Sequence, residues 1–296
     1  MNENAAKHGV AIVVSAIIGL TEVALISGCS KPGDQTDAEQ RFITIKGSDT
    51  MVHLVSNWAE AFMQNKPSIE VSVTGGGSGT GIAAILNGTT DICAASRKIK
   101  DQEMTQALQK GIHPREIAVA RDGIAVVVHP DNPIGELTLE QLSRIFTRQS
   151  LRWSIVGGPD EEILVFSRES SSGTYVFFQE MVLNKQDYMR DAKLLPATSA
   201  IIQSVSTDQW AIGYVGLGYA LAAKDKVKII AIKGSDASAA VIPSDETVKS
   251  GRYPIARPLY FYLNGVPKGT VKEFVDFCLS AEGQAVVTDA GYVAVQ

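Results

Sequence analysis

The chain has 296 residues, 45% hydrophobic and 20% charged, with a formal net charge of −5 at pH 7. That length and apolar content can bury a sizeable core and leave room for two domains. Lys and Arg number 27 against 32 Asp and Glu, with no long run or stripe of one sign, so a nucleic-acid partner finds no support and any anion must be captured locally.

The first segment stands apart from the fold. Val10 to Leu20 is an apolar run behind Lys7, followed by Leu25-Ile-Ser-Gly-Cys29, and together they read as a secretory signal peptide over residues 1–28. Ser27 and Gly28 directly before Cys29 fit the bacterial lipoprotein pattern, in which that cysteine is lipidated and becomes the mature N-terminus. The competing reading is an uncleaved anchor, although the run is shorter than the ~20 residues a spanning helix needs. Both readings put the body outside the cytoplasm. Residues 29–41 are polar and aperiodic, which suits a tether, and folding is expected to begin near Phe42.

From Phe42 the pattern is short strand, polar loop, helix, repeated. Ile43 and Ile45 mark a strand, and Met51, Val55, Trp58, Ala59 and Phe62 then fall on one helical face. Ile69, Val71 and Val73 alternate as a strand, after which Gly75 to Gly81 opens a short helix through Leu86. Strands are expected at 91–95, 117–120 and 124–128, and helices at 102–110 and at 138–146 with Thr138 as cap. A strand at 163–166, a helix at 173–183, strands at 211–214, 227–232 and 259–263, and helices from Lys268 complete the chain. Such alternation predicts an α/β fold with mostly parallel sheets. No linker divides it, so two lobes must interleave: 42–126 with 261–296, and 127–260, crossing near 124–130 and 258–263.

Three loops share one design, in which a strand ends, Ser, Thr and Gly follow, and a helix begins: Gly47-Ser-Asp-Thr-Met51, Gly77-Ser-Gly-Thr-Gly81 and Ser170-Ser-Ser-Gly-Thr174. Helix N-termini carry partial positive charge and unsatisfied N–H groups, so they hold oxyanions without a lysine. Each loop alone is as well explained by helix capping and turning; three together, one beside Arg168, favour a ligand, and a guanidinium matches two oxygens of a phosphate-like anion. The alternative for Arg168 is a structural ion pair with a nearby carboxylate. Ser96, at the end of the 91–95 strand, is also placed to touch a ligand, whereas Arg97 is better read as facing solvent or an acidic neighbour.

Catalytic signatures are missing from the sequence. The glycine loop lacks the Lys-Ser or Lys-Thr of a phosphate-binding P-loop, and Thr80 stands where a nucleophile elbow needs glycine. His53, His113 and His129 are too scattered to suggest a metal site. Cys93 and Cys278 lie in apolar runs and read as core residues, with a disulfide between them as the second option.

At these loops, with Ala95-Ser-Arg97, Arg168 and Ala211-Ile-Gly-Tyr-Val-Gly216, the sequence resembles the phosphate-binding lipoproteins of phosphate ABC importers, the PstS family with a type II periplasmic-binding-protein fold. The resemblance runs from about Phe42 to the C-terminus. It implies two hinged lobes closing on one dehydrated phosphate, held by Thr50, the N–H of Met51 and Ser78 from one lobe and by Arg168, Ser172, Gly173 and Thr174 from the other. Ser96 falls where some members carry an aspartate that accepts the proton of hydrogen phosphate. Asp49 is open between supplying that acceptor and capping its own helix. The implied protein is a monomeric, non-enzymatic receptor without cofactor or metal, lipid-anchored at the cell membrane and facing the periplasm or exterior, that serves ABC permease subunits. A receptor for molybdate, tungstate or sulfate, and more remotely a secreted hydrolase, are the alternatives.

Overall fold

The structure is a computed structural model and describes residues 42–295; the expected signal peptide at 1–28, the expected lipidation site Cys29 and the expected tether at 29–41 lie outside those residues. In chain order the elements are β1 (Phe42–Gly47), α1 (Asp49–Asn65), β2 (Glu70–Thr74), α2 (Ser78–Leu86), β3 (Ile92–Ala95), α3 (Asp101–Gln109), β4 (Pro114–Val128), β5 (Glu136–Thr138) and α4 (Leu139–Phe146). After a 3-10 turn at Trp153–Val156 come β6 (Leu164–Arg168), α5 (Gly173–Met181), β7 (Lys193–Leu195), α6 (Thr198–Val205), β8 (Ala211–Gly216) and α7 (Leu217–Ala222). The chain continues through β9 (Lys228–Ile229), β10 (Ala231–Lys233), α8 (Asp245–Lys249), β11 (Ala256–Asn264), α9 (Gly269–Leu279) and α10 (Ala281–Asp289).

One mixed sheet runs β2-β1-β3-β11-β4-β8-β6-β7, with β9 also on β4, and β10 pairs with β5 separately. The outer pairs β1–β2, β1–β3, β6–β7 and β6–β8 are parallel, while β11 and β4 run antiparallel to their neighbours in the middle. The parallel pairs are those joined through helices, as βα alternation requires. The 15-residue β4 pairs with β11 over its first two-thirds and with β8 over residues 124–128. It therefore threads the whole sheet, where the sequence suggested two strands. Arg121-Asp122-Gly123 resembles a turn, but Asp122 is fully buried and paired, which lets the strand run on.

The apolar faces cover the sheet as the spacing predicts. On α1, Met51, Val55, Trp58, Ala59 and Phe62 are all buried, and the Trp58 indole N–H donates to the Gly283 carbonyl at 2.7 Å. On α5, Phe178 stacks on Tyr214 with ring centroids 4.0 Å apart, fixing that helix against β8. Thr138 caps α4, its Oγ1 accepting from the Gln141 N–H while Gln141 Oε1 accepts from the Thr138 N–H. Cys93 and Cys278 are both buried free thiols. The 227–232 strand is broken in two, and β7, α6, α7 and α8 are short elements that periodicity did not reveal.

Candidate functional site: a buried cage of hydroxyls and guanidinium groups

Strands β1, β2, β3, β6 and β8 all end toward one region, where ligands of open α/β sheets collect. There the three glycine-serine loops meet. Thr50 Oγ1 and Thr174 Oγ1 lie 2.7 Å apart, joining the first turn of α1 to that of α5. Ser78 Oγ is 3.2 Å from Ser96 Oγ and accepts from the Ser96 N–H at 3.0 Å, while the Ser48 hydroxyl donates to Ser96 Oγ at 2.8 Å. The Gly79 N–H donates to the Ser171 carbonyl at 2.9 Å, tying the second loop to the third. Glycine is required at these approaches. A Cβ on Gly77, whose φ is +97°, would come within 2.5 Å of the Ser171 carbonyl oxygen, and one on Gly173 would stand 2.3 Å from Ser78 Oγ.

The interior is buried. Thr50, Ser78, Ser96, Ser172 and Thr174 are all at most 2% exposed, so charge placed here interacts in a low-dielectric setting. Ser172 caps α5, its Oγ accepting from the Thr174 and Tyr175 N–H groups. The Met51 N–H donates to the Ser48 carbonyl, and the Met51 side chain is wholly buried.

Arg168, at the end of β6, is 2% exposed. Its Nη2 donates to Asp49 Oδ2 and to the Pro196 carbonyl, each at 2.7 Å; Nη1 donates to Thr198 Oγ1 at 2.8 Å and Nε to the Leu195 carbonyl at 3.2 Å. The ion-pair alternative is thus realised, and its partner is Asp49. That carboxylate does not cap its own helix: Ser48 occupies the cap position, and Asp49 bridges the Arg168 guanidinium and the Gly76 N–H. Arg97 makes a two-pronged pair with Glu103 at 2.7 and 2.8 Å, as the acidic-neighbour reading anticipated.

The structure adds residues that the sequence did not flag. Arg257 and Asp122 are register partners on β11 and β4 and are 2% and 0% exposed. Arg257 Nη2 donates to Asp122 Oδ2 at 3.1 Å and to Thr174 Oγ1 at 2.9 Å, and Nη1 donates to the Ser96 carbonyl at 2.7 Å. The other Asp122 oxygen accepts from the Leu217 N–H at 3.0 Å. Complete burial pushes the Asp122 carboxyl above its ordinary range, against the opposing pull of Arg257 and the Leu217 amide. The only sequence signal was an arginine inside an otherwise apolar strand. Among the described residues no cluster of His, Cys, Asp and Glu could hold a metal ion.

This arrangement defines a class before it defines a protein: the chain has a periplasmic-binding-protein-like fold, and a family model described as a PBP superfamily domain matches residues 30–282. A Pseudomonas aeruginosa protein named phosphate-binding protein PstS is 34% identical over 264 residues, covering 83% of this chain and 81% of that protein. A Clostridium perfringens crystal structure, described as a phosphate ABC transporter substrate-binding protein with bound phosphate, superposes with a TM-score of 0.77 at 31% identity, covering 86% of this chain and 100% of that one. An ABC-type phosphate transport receptor from Vibrio cholerae gives 0.68 at 28% identity, covering 85% and 99%. The chain belongs to the PstS family of phosphate-binding proteins.

Proposed function

We propose that the protein is an extracytoplasmic receptor that binds inorganic phosphate in the hydroxyl cage and delivers it to an ABC importer. The observation that carries this reading is the meeting of Thr50, Ser78, Ser96 and Thr174 hydroxyls in one buried interior flanked by Arg168. Its likeness to the phosphate-binding proteins of Pseudomonas aeruginosa, Clostridium perfringens and Vibrio cholerae supports it. In this reading Thr50, Ser78, Ser96, Ser172 and Thr174 donate hydroxyl or first-turn amide hydrogen bonds, the Met51 amide turns to the guest, and Gly173 admits it. Arg168 supplies positive charge through a guanidinium pre-oriented by Asp49. Lipid on Cys29 tethers the body to the membrane, and the lobes 42–126 with 261–296 and 127–260 close on the guest, working as a monomer.

A tetrahedral dianion suits this cage because hydroxyls reorient toward its oxygens, and closure is driven only by contacts the guest makes better in the closed form. Ser96 accepts as well as donates, so it can accept a hydrogen bond from the P–OH of hydrogen phosphate, but it repels sulfate far less than a carboxylate does. Calorimetric titration of the full chain with inorganic phosphate, with sulfate and molybdate as competitors, tests the reading. Saturable binding of phosphate, tighter than that of either competitor, is expected. Tighter binding of molybdate, or no heat with phosphate, would sink it.

A further inference from the structure

We infer that Arg257 is a second anion-binding guanidinium of the cage, presenting its fork to the phosphate from the β11 side, opposite Arg168. This rests on the oxyanion-cage reading above and deepens it. A guanidinium has five N–H donors. Arg168 spends four of them on Leu195, Pro196, Thr198 and Asp49, which leaves one. Arg257 spends three, on Ser96, Thr174 and Asp122, which leaves two, and its buried Nε has no partner. An unpartnered N–H in a side chain 2% exposed carries a desolvation penalty that an anionic acceptor would remove.

The placement agrees with the donor count. Arg257 already touches two of the cage residues: Thr174 through its hydroxyl and Ser96 through its carbonyl. It thus spans the loop after β3 and the first turn of α5. The Phe177 ring covers the guanidinium, with its centroid 5.3 Å from Cζ, and beyond it Arg257 forms part of the wall of a cavity of about 440 Å³ shared with Arg97, Phe177 and Tyr260. Asp122 fixes the fork through Nη2, and the Leu217 amide fixes Asp122 in turn. A buried ion pair by itself is weak evidence of a stabilising role. Here it aims a cation at the hydroxyls that would hold the guest.

Titration of the full chain with inorganic phosphate at about pH 8, where the dianion dominates, and about pH 5.5, where the monoanion does, separates this role from a merely structural one. Wild type is expected to prefer the dianion. Arg257→Gln should lower affinity about ten- to a hundredfold at the higher pH, the range for a hydrogen bond to a charged group, and shrink the ratio between the two pH values. Equal losses at both, with the ratio kept, would make Arg257 structural and overturn the inference. A measurement independent of the variant's folding uses the arginine Nε–H resonances of 15N-labelled wild type, with the Arg257 signal identified by its loss in Arg257→Lys. Phosphate should move that signal at least as far as any other arginine's; a resonance that stays still while others move would overturn the inference equally. Wild type that shows no phosphate binding at all would instead defeat the reading of the cage.

Discussion

Gly173 shows how little room the interior leaves. A methyl group there would stand 2.3 Å from Ser78 Oγ and 2.7 Å from Ser96 Oγ, distances that real Cβ contacts do not reach, and both hydroxyls come from outside its own loop. If the loops separate when the site opens, the unliganded protein escapes this clash and the liganded one does not. Gly173→Ala is therefore expected to melt within a few degrees of wild type without phosphate yet bind phosphate at least tenfold more weakly, about 1.4 kcal/mol. Calorimetry on the variant checks this, and wild-type affinity would place the guest elsewhere. The serine, threonine and glycine positions were legible in the sequence because helix-start chemistry is local. Arg257 and Asp122 were not: they pair across 135 positions, and locally one sits in an apolar strand while the other resembles part of a turn. The cysteines were legible as core. Burial pushes the Cys93 thiol up, with Arg97 opposing, which keeps it inert.

At the scale of elements, α3 shows how a surface helix is fastened beside the site. The Glu103 carboxylate accepts from the Lys100 N–H at 2.8 Å and from both Nη groups of Arg97, so the segment leading from β3 is held on its helix. Partial burial raises the Glu103 pKa, but the Arg97 and Lys100 bonds prevail and the net direction is downward. A depressed carboxyl stabilises the fold above its unfolded value of about 4.3 and loses that contribution as pH falls through the folded value. Glu103→Gln is thus expected to lower the melting temperature at pH 7, by an amount corresponding to about 1–2 kcal/mol, with the gap to wild type narrowing below about pH 4.3; a gap constant down to pH 3 would contradict the assignment. The long helices were legible from their apolar stripes. Short α6 was not, although its Thr198, together with the Leu195 and Pro196 carbonyls before it, holds Arg168. Unlike α4, of the same length, it has no side-chain cap to mark its start.

For the molecule as a whole, a guest that binds only the folded form must raise its stability. Phosphate at a hundred times its dissociation constant adds about 2.7 kcal/mol, which for a domain of this size is a rise of roughly 5–10 °C in melting temperature. Scanning fluorimetry of the full chain reads this directly, and an unchanged midpoint at millimolar phosphate would speak against specific binding. The α/β class was legible from strand–helix alternation; the continuity of β4 was not, because its polar middle is satisfied by partners some ninety or more positions later: Arg257 on β11, the Leu217 N–H at the start of α7 and the Val293 backbone.

That continuity bears on how any closing motion would work. β4 borders β11 over its first part and β8 over its last, with Asp122 near the changeover bonded to Arg257 on β11 and to the Leu217 N–H just past the end of β8. A bend there would flex a hydrogen-bonded ribbon rather than swing about a slack joint. Opening and shutting would then behave like the twisting of a stiff spring, whose rest position is set by side chains in its middle and whose tension those side chains would feel first.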